Sequence, residues 1–159
     1  MSKVLIQMNA KLGGVPWCVD NLPFMKEPTM ICGMDVFHST ALGKKSVLAL
    51  TASMNQSATT YWSASVIQDE IGQEGSTNLQ TSMQNAIEAF KRNNGAPPSN
   101  IIFYRDGVGE GQVQGICVPE IEQIKQALAT HNIASTKLMY VNCCKRVNTR
   151  IFAGDPSRF

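Results

Sequence analysis

Two aspartates in this chain stand where they could share a metal ion. Asp35 follows the apolar run Met30 to Met34, and Asp106 closes a second run that begins at Ile101. Each carboxylate is therefore expected at the C-terminal end of an interior strand, the edge at which open α/β sheets bind their ligands. If the two strands are neighbours, hard carboxylate oxygens converge and suit Mg²⁺. Metal ions held this way activate a water and stabilise the leaving oxygen of a phosphodiester. Taken singly, either aspartate also reads as a turn cap or as the partner of a cation such as Arg105. The chemistry rests on finding both at equivalent places.

Other reactive residues fit bland roles. Gly107-x-Gly109-x-Gly111 lacks the last glycine of a dinucleotide fingerprint and reads as a tight turn. His38 lies off the alternating face that carries Asp35 and reads as a turn residue. His131 falls in a polar helix end, where it complements the helix dipole. Cys18, Cys32, Cys117, Cys143 and Cys144 contain no C-x-x-C pair, and an odd number leaves one unpaired in any disulfide scheme. They read as small apolar side chains in a reducing, intracellular setting, cytoplasmic or nuclear. Lys145, Arg146 and Arg150 form a local basic cluster that suits phosphates or solvent equally.

The elements that must position the aspartates follow from periodicity. Leu5, Met8 and Leu12 recur at helical spacing before Gly13 and Gly14, so a helix is expected from Lys3 to Leu12. Val15 to Pro28 holds three prolines and reads as an irregular connector covering the core with Trp17 and Phe24. Strands are expected over Thr29 to Phe37, Ser46 to Met54 and Tyr61 to Gln68, joined by short connections that favour antiparallel neighbours. Leu79, Met83, Ala86, Ile87 and Phe90 mark a helix that stops at Asn93-Asn94-Gly95. A strand at Ile101 to Tyr104, a helix marked by Ile121, Ile124 and Leu128, and a strand at Lys137 to Cys144 complete the order. Three antiparallel strands followed by helix-strand-helix-strand describe an α/β fold with a mixed sheet, although the pattern alone admits other α/β arrangements.

Composition sets the outer bounds. A length of 159 residues suits a single core, and 43% hydrophobic with 16% charged residues describes a chain that folds. The net charge of +2 points to no partner, so any nucleic-acid surface must be a local groove. No stretch approaches the roughly 18 apolar residues of a membrane span, and no membrane partner is expected.

Four stretches carry a family resemblance. Gln7 to Gly14 (QMNAKLGG), Gly33 to His38 (GMDVFH), Ile101 to Gln112 (IIFYRDGVGEGQ) and Lys145 to Phe152 (KRVNTRIF) together resemble the Argonaute family. Gln7, where many Ago-clade members have lysine, Trp17 and the Gln68 to Glu74 run resemble its Piwi clade. The resemblance implies a partial Piwi domain with an RNase H-like sheet over residues 1–159, opened at 1–14 by a helix near a guide 5′-phosphate pocket. It implies that Gln7 and Lys11 contact that phosphate, and that Asp35 and Asp106 hold Mg²⁺ (or Mn²⁺). Glu74, in a Gln-Glu pair, matches the family's glutamate finger and would be a third catalytic residue, with Glu70 its rival. The expected partners are a small guide RNA, piRNA-like, and a complementary target RNA. A fourth ligand is expected beyond Phe159, so the isolated chain is expected to be inactive.

The resemblance implies RNA silencing by a guided RNA endonuclease. The runner-up is a guide-RNA-binding silencing protein that does not cut. A remote third reading, an unrelated RNase H-like nuclease, conflicts with the Lys11-Leu12-Gly13-Gly14 block.

Overall fold

Alternation of buried and exposed residues builds the sheet on which the aspartates stand. A computed structural model describes residues 3–19, 22–38, 45–68, 75–76, 78–145, 148, 150, 152 and 154. Its strands are β1 (Thr29–Phe37), β2 (Val47–Ser53), β3 (Tyr61–Ile67), β4 (Asn100–Asp106) and β5 (Lys137–Cys143). They form one sheet in the order β3-β2-β1-β4-β5. The pairings of β1 with β2 and β2 with β3 are antiparallel, whereas β4 runs parallel to both β1 and β5. This is the mixed, RNase H-like sheet expected from the sequence.

Three helices accompany it: α1 (Lys3–Lys11), α2 (Leu79–Asn94) and α3 (Val113–Thr130). Leu79, Met83, Ala86, Ile87 and Phe90 of α2 are buried, as their spacing requires, with Ile124, Ala127 and Leu128 of α3 beside them. Against these pack Met30, Cys32, Met34 and Val36 of β1 and Ile101 and Phe103 of β4. Gly95 ends α2 at φ 75°, a left-handed conformation that glycine adopts without strain, and its N–H donates to the Lys91 carbonyl at 2.8 Å. Asn93 and Asn94 donate to the Met54 carbonyl just past β2, tying helix end to sheet.

Among the described residues nothing covers the opposite face of the sheet. Phe37, Tyr61, Ile67, Tyr104 and Met139 are all exposed. Asp35 belongs to this face, because the strand alternation that buries Met34 and Val36 turns it outward.

Two expectations are corrected. Trp17 and Phe24 do not cover the core, being 70% and 49% exposed; the short 3-10 turn Pro23–Met25 buries Met25 instead. Helix α3 begins at Val113, well before the periodic residues, and continues through Pro119. A proline in a helix interior removes one hydrogen bond and is disfavoured, so the sequence signal broke there. Tertiary packing of Cys117 and Glu120 overrides it. His38 meets the Ser46 hydroxyl just past β1, and His131 stands at the helix end where it was placed, as the C-cap of α3.

Ile87 has no solvent exposure. Ile87→Ala is expected to lower stability by about 2–5 kcal/mol, because a cavity replaces the contact between α2 and the sheet. Urea unfolding measures this as a lower midpoint with an unchanged slope. A loss well under about 1 kcal/mol, typical of surface sites, would show that α2 is not packed there.

Candidate functional site

Parallel pairing brings the aspartates together. Met34 pairs with Arg105, and Asp35 and Asp106 are the next residues along β1 and β4. Adjacent strands lie about 4.8 Å apart, so the two carboxylates rise side by side from the same face. Both line an open cavity of about 960 Å³, together with Gly107, Glu110, Cys143 and Lys145. β1 spans Thr29–Phe37 as expected, with Asp35 near its C-terminal end, whereas β4 runs on to Asp106 rather than ending at Tyr104.

The turn after β4 is shaped to leave the carboxylates open. Gly107 sits at φ 88°, where an L side chain is strained, and a Cβ there would lie 3.6 Å from Asp35 Oδ1. Val108 is buried and anchors the turn, while its carbonyl accepts a hydrogen bond from Asn142 Nδ2 at 3.1 Å. Asp35 Oδ1 accepts the backbone N–H of Val36 at 2.9 Å, which orients the carboxylate. The glycine-rich stretch is thus a tight turn beside the carboxylates.

Lys145 places its ammonium on the Asp106 carboxylate as an ion pair. Its pKa is raised above the ordinary lysine value, first by the hydrogen bond and charge of Asp106 and more weakly by the charge of Asp35. A cation is therefore already attracted to this spot. Two carboxylates on one face, in a cavity that draws a positive charge, fit a hard divalent ion such as Mg²⁺ or Mn²⁺.

Beneath the cavity lies a charged network that the sequence reading missed. Arg105 faces inward and is 2% exposed, and its Nε donates to the Glu120 carboxylate at 3.1 and 3.3 Å. Glu120, on α3, is 1% exposed and also accepts the Tyr140 hydroxyl at 2.6 Å. Burial, followed by the hydrogen bond to Glu120, pushes the Tyr140 pKa far up, so the phenol stays protonated as donor. Arg105 therefore pairs with Glu120 and not with the Asp106 side chain; its Nη1 donates instead to the Asp106 backbone carbonyl. One signal was legible: in Ile101-Phe103-Arg105, alternation puts a cation on the apolar face, which demands a buried partner.

Two further expected site residues, Gln7 and Lys11, are described and do not line this cavity. Both lie on α1, which buries none of its residues. Gly13, at φ 84°, and Gly14 close that helix through hydrogen bonds to the Ala10 and Asn9 carbonyls. Glu74 and its rival Glu70 lie outside the described residues, as does Arg146. Among the described residues no group of three or more His, Cys, Asp or Glu could hold a metal ion.

Comparison with known proteins places this arrangement. Residues 1–158 match the Piwi domain. Piwi-like protein 1 of Danio rerio is 40% identical over 153 residues, which is 96% of this chain and 17% of that protein. The chain thus spans about one sixth of the length of that relative. The crystal structure of Drosophila Piwi superposes with a TM-score of 0.69 at 32% identity, covering 88% of this chain and 19% of that one. Kluyveromyces polysporus Argonaute, solved with a guide RNA, superposes with a TM-score of 0.70 at 25% identity, covering 87% and 17%. With its mixed sheet, its paired aspartates and a match running from end to end, the chain belongs to the Piwi-domain family of Argonaute proteins.

Proposed function

We propose that the full-length protein acts in small-RNA-guided silencing, holding a guide RNA and cleaving the paired target RNA with Mg²⁺ or Mn²⁺. The observation that carries this reading is the juxtaposition of Asp35 and Asp106 on adjacent parallel strands in one open cavity. A guide RNA in the structure of the yeast relative supports the choice of nucleic acid. A bound divalent ion would supply Lewis acidity and an activated water. Asp35 and Asp106 hold it, Glu74 completes the site, and the Gly107 turn keeps bulk away from the carboxylates. The open sheet face leaves room for an RNA backbone to approach. Base pairing with a piRNA-like guide supplies the sequence specificity, so the protein needs to grip only backbone and shape. Gln7 and Lys11 serve the guide 5′-phosphate, where an ammonium and a neutral amide donate to the same anion.

Asp106→Ala in the full-length protein is expected to abolish target cleavage while leaving guide and target binding nearly intact. A metal-holding carboxylate acts mainly in the transition state, whereas backbone contacts elsewhere hold the RNA. Single-turnover cleavage beside filter binding reads both quantities. A wild type that binds both strands and never cuts would establish the binding-only silencing protein instead.

Lys11→Ala should weaken loading of a 5′-phosphorylated guide more than of an unphosphorylated one, with the difference shrinking as salt rises. Equal losses for both guides would assign Lys11 a structural role.

Lys145→Met should tighten Mn²⁺ binding a few-fold by removing the ammonium that competes for Asp106. Calorimetric titration of the full-length protein measures it. Weaker binding would show that Lys145 supports the site rather than competing for it.

A further inference from the structure

Buried Arg105 and Glu120 and half-buried Tyr140 form a chain of charge and hydrogen bonds that ends on the backbone of a proposed metal ligand. We infer that Glu120 and Tyr140, acting through Arg105, are positioning residues that set the Asp106–Gly107 turn and so hold the two carboxylates at metal-binding separation. This inference rests on the metal-site reading above.

The geometry gives each member a distinct task. A guanidinium is a rigid planar fork, so one group holds the Glu120 carboxylate through Nε and the Asp106 carbonyl through Nη1 at the same time. Fixing that carbonyl fixes the peptide plane between Asp106 and Gly107, and with it the direction in which the Asp106 side chain leaves the strand. The turn lies between the two groups: a Cβ on Gly107 would come into ordinary contact with Arg105 Nη1 at 3.9 Å and with Asp35 Oδ1 at 3.6 Å. Glu120 also neutralises the guanidinium. The Glu120 charge lessens the repulsion between that guanidinium and a divalent ion bound above it. Tyr140 holds Glu120 in place through its hydroxyl, and its ring stacks on Phe103 of the neighbouring strand with centroids 5.3 Å apart. The network therefore couples α3, β4 and β5 to one peptide bond at the cavity floor.

The test must separate positioning from simple stability. Replacing a buried ion pair by apolar groups of similar volume is often neutral for stability, whereas breaking one partner alone is not. The combined variant Arg105→Met, Glu120→Leu, Tyr140→Phe therefore keeps the core filled while removing the guanidinium, the carboxylate and the hydroxyl that link α3, β4 and β5. Mn²⁺ binding to the full-length protein, followed by electron paramagnetic resonance, is compared with thermal unfolding of the same samples. We expect a melting temperature close to that of wild type, with Mn²⁺ affinity about tenfold or more weaker, as for other groups that support metal ligands. Unchanged affinity, with Asp35→Ala abolishing binding in parallel, would overturn the positioning role and leave the metal site standing. Absence of any Asp35-dependent Mn²⁺ binding in wild type would overturn both. If the combined variant does not fold, Arg105→Lys decides. It keeps the charge opposite Glu120 but loses the fork that reaches Asp106, and it should again weaken Mn²⁺; wild-type affinity would sink the inference.

Discussion

Everything at the cavity depends on β1 lying parallel to β4 in one particular register. Parallel strands cannot be joined by a tight turn and need a crossover, here supplied by α2. Register along such a pair is enforced by burial, because a slip of one residue moves every side chain to the other face. Such a slip of β4 would expose Ile101 and Phe103 and drive Asp106 into the core. Arg105 raises the penalty further, since it would leave the partner that makes its burial tolerable. The apolar alternation and the buried ion pair thus select the same register.

Two electrostatic regimes meet across the thickness of this one strand. On the inner side, Arg105 and Glu120 neutralise each other where the dielectric is low and an unpaired charge is costly. On the outer side, Asp35 and Asp106 stand in an open cavity and draw Lys145 to them. Water screens the outer pair and leaves the inner one unscreened, so the inner network can hold its geometry while the outer charges exchange partners. The carboxylates create a local field in a chain whose net charge is only +2. Net charge says little about a site of this size.

The exposed sheet face and the apolar side chains of α1 share a feature: neither is covered by the described residues. Val4, Leu5 and Met8 of α1 are each more than half exposed. The helical spacing of Leu5, Met8 and Leu12 nevertheless marks the helix, because such a pattern registers an amphipathic face whether or not its partner is present.

By itself, the sequence determined the element types, the strand-end region of both aspartates and the family, since alternation, helical spacing and the Tyr-Arg-Asp-Gly-Val block are local signals. Boundaries went astray where local rules conflict with packing: Pro119 and Gly115 hid the first half of α3, and Ile121 stood out as the apolar marker while Glu120 is the residue that turns inward. Trp17 and Phe24 lie in an irregular connector with no periodicity to show which way a side chain faces, and a large aromatic side chain need not be covered. Only tertiary structure decided that Asp35 and Asp106 share a face and a cavity, that Lys145 reaches them, and that Arg105 answers to Glu120 rather than to its sequence neighbour. Those facts concern distances between residues far apart in the chain. They follow from strand order, register and the need of a buried charge for a partner, none of which a short window of sequence contains.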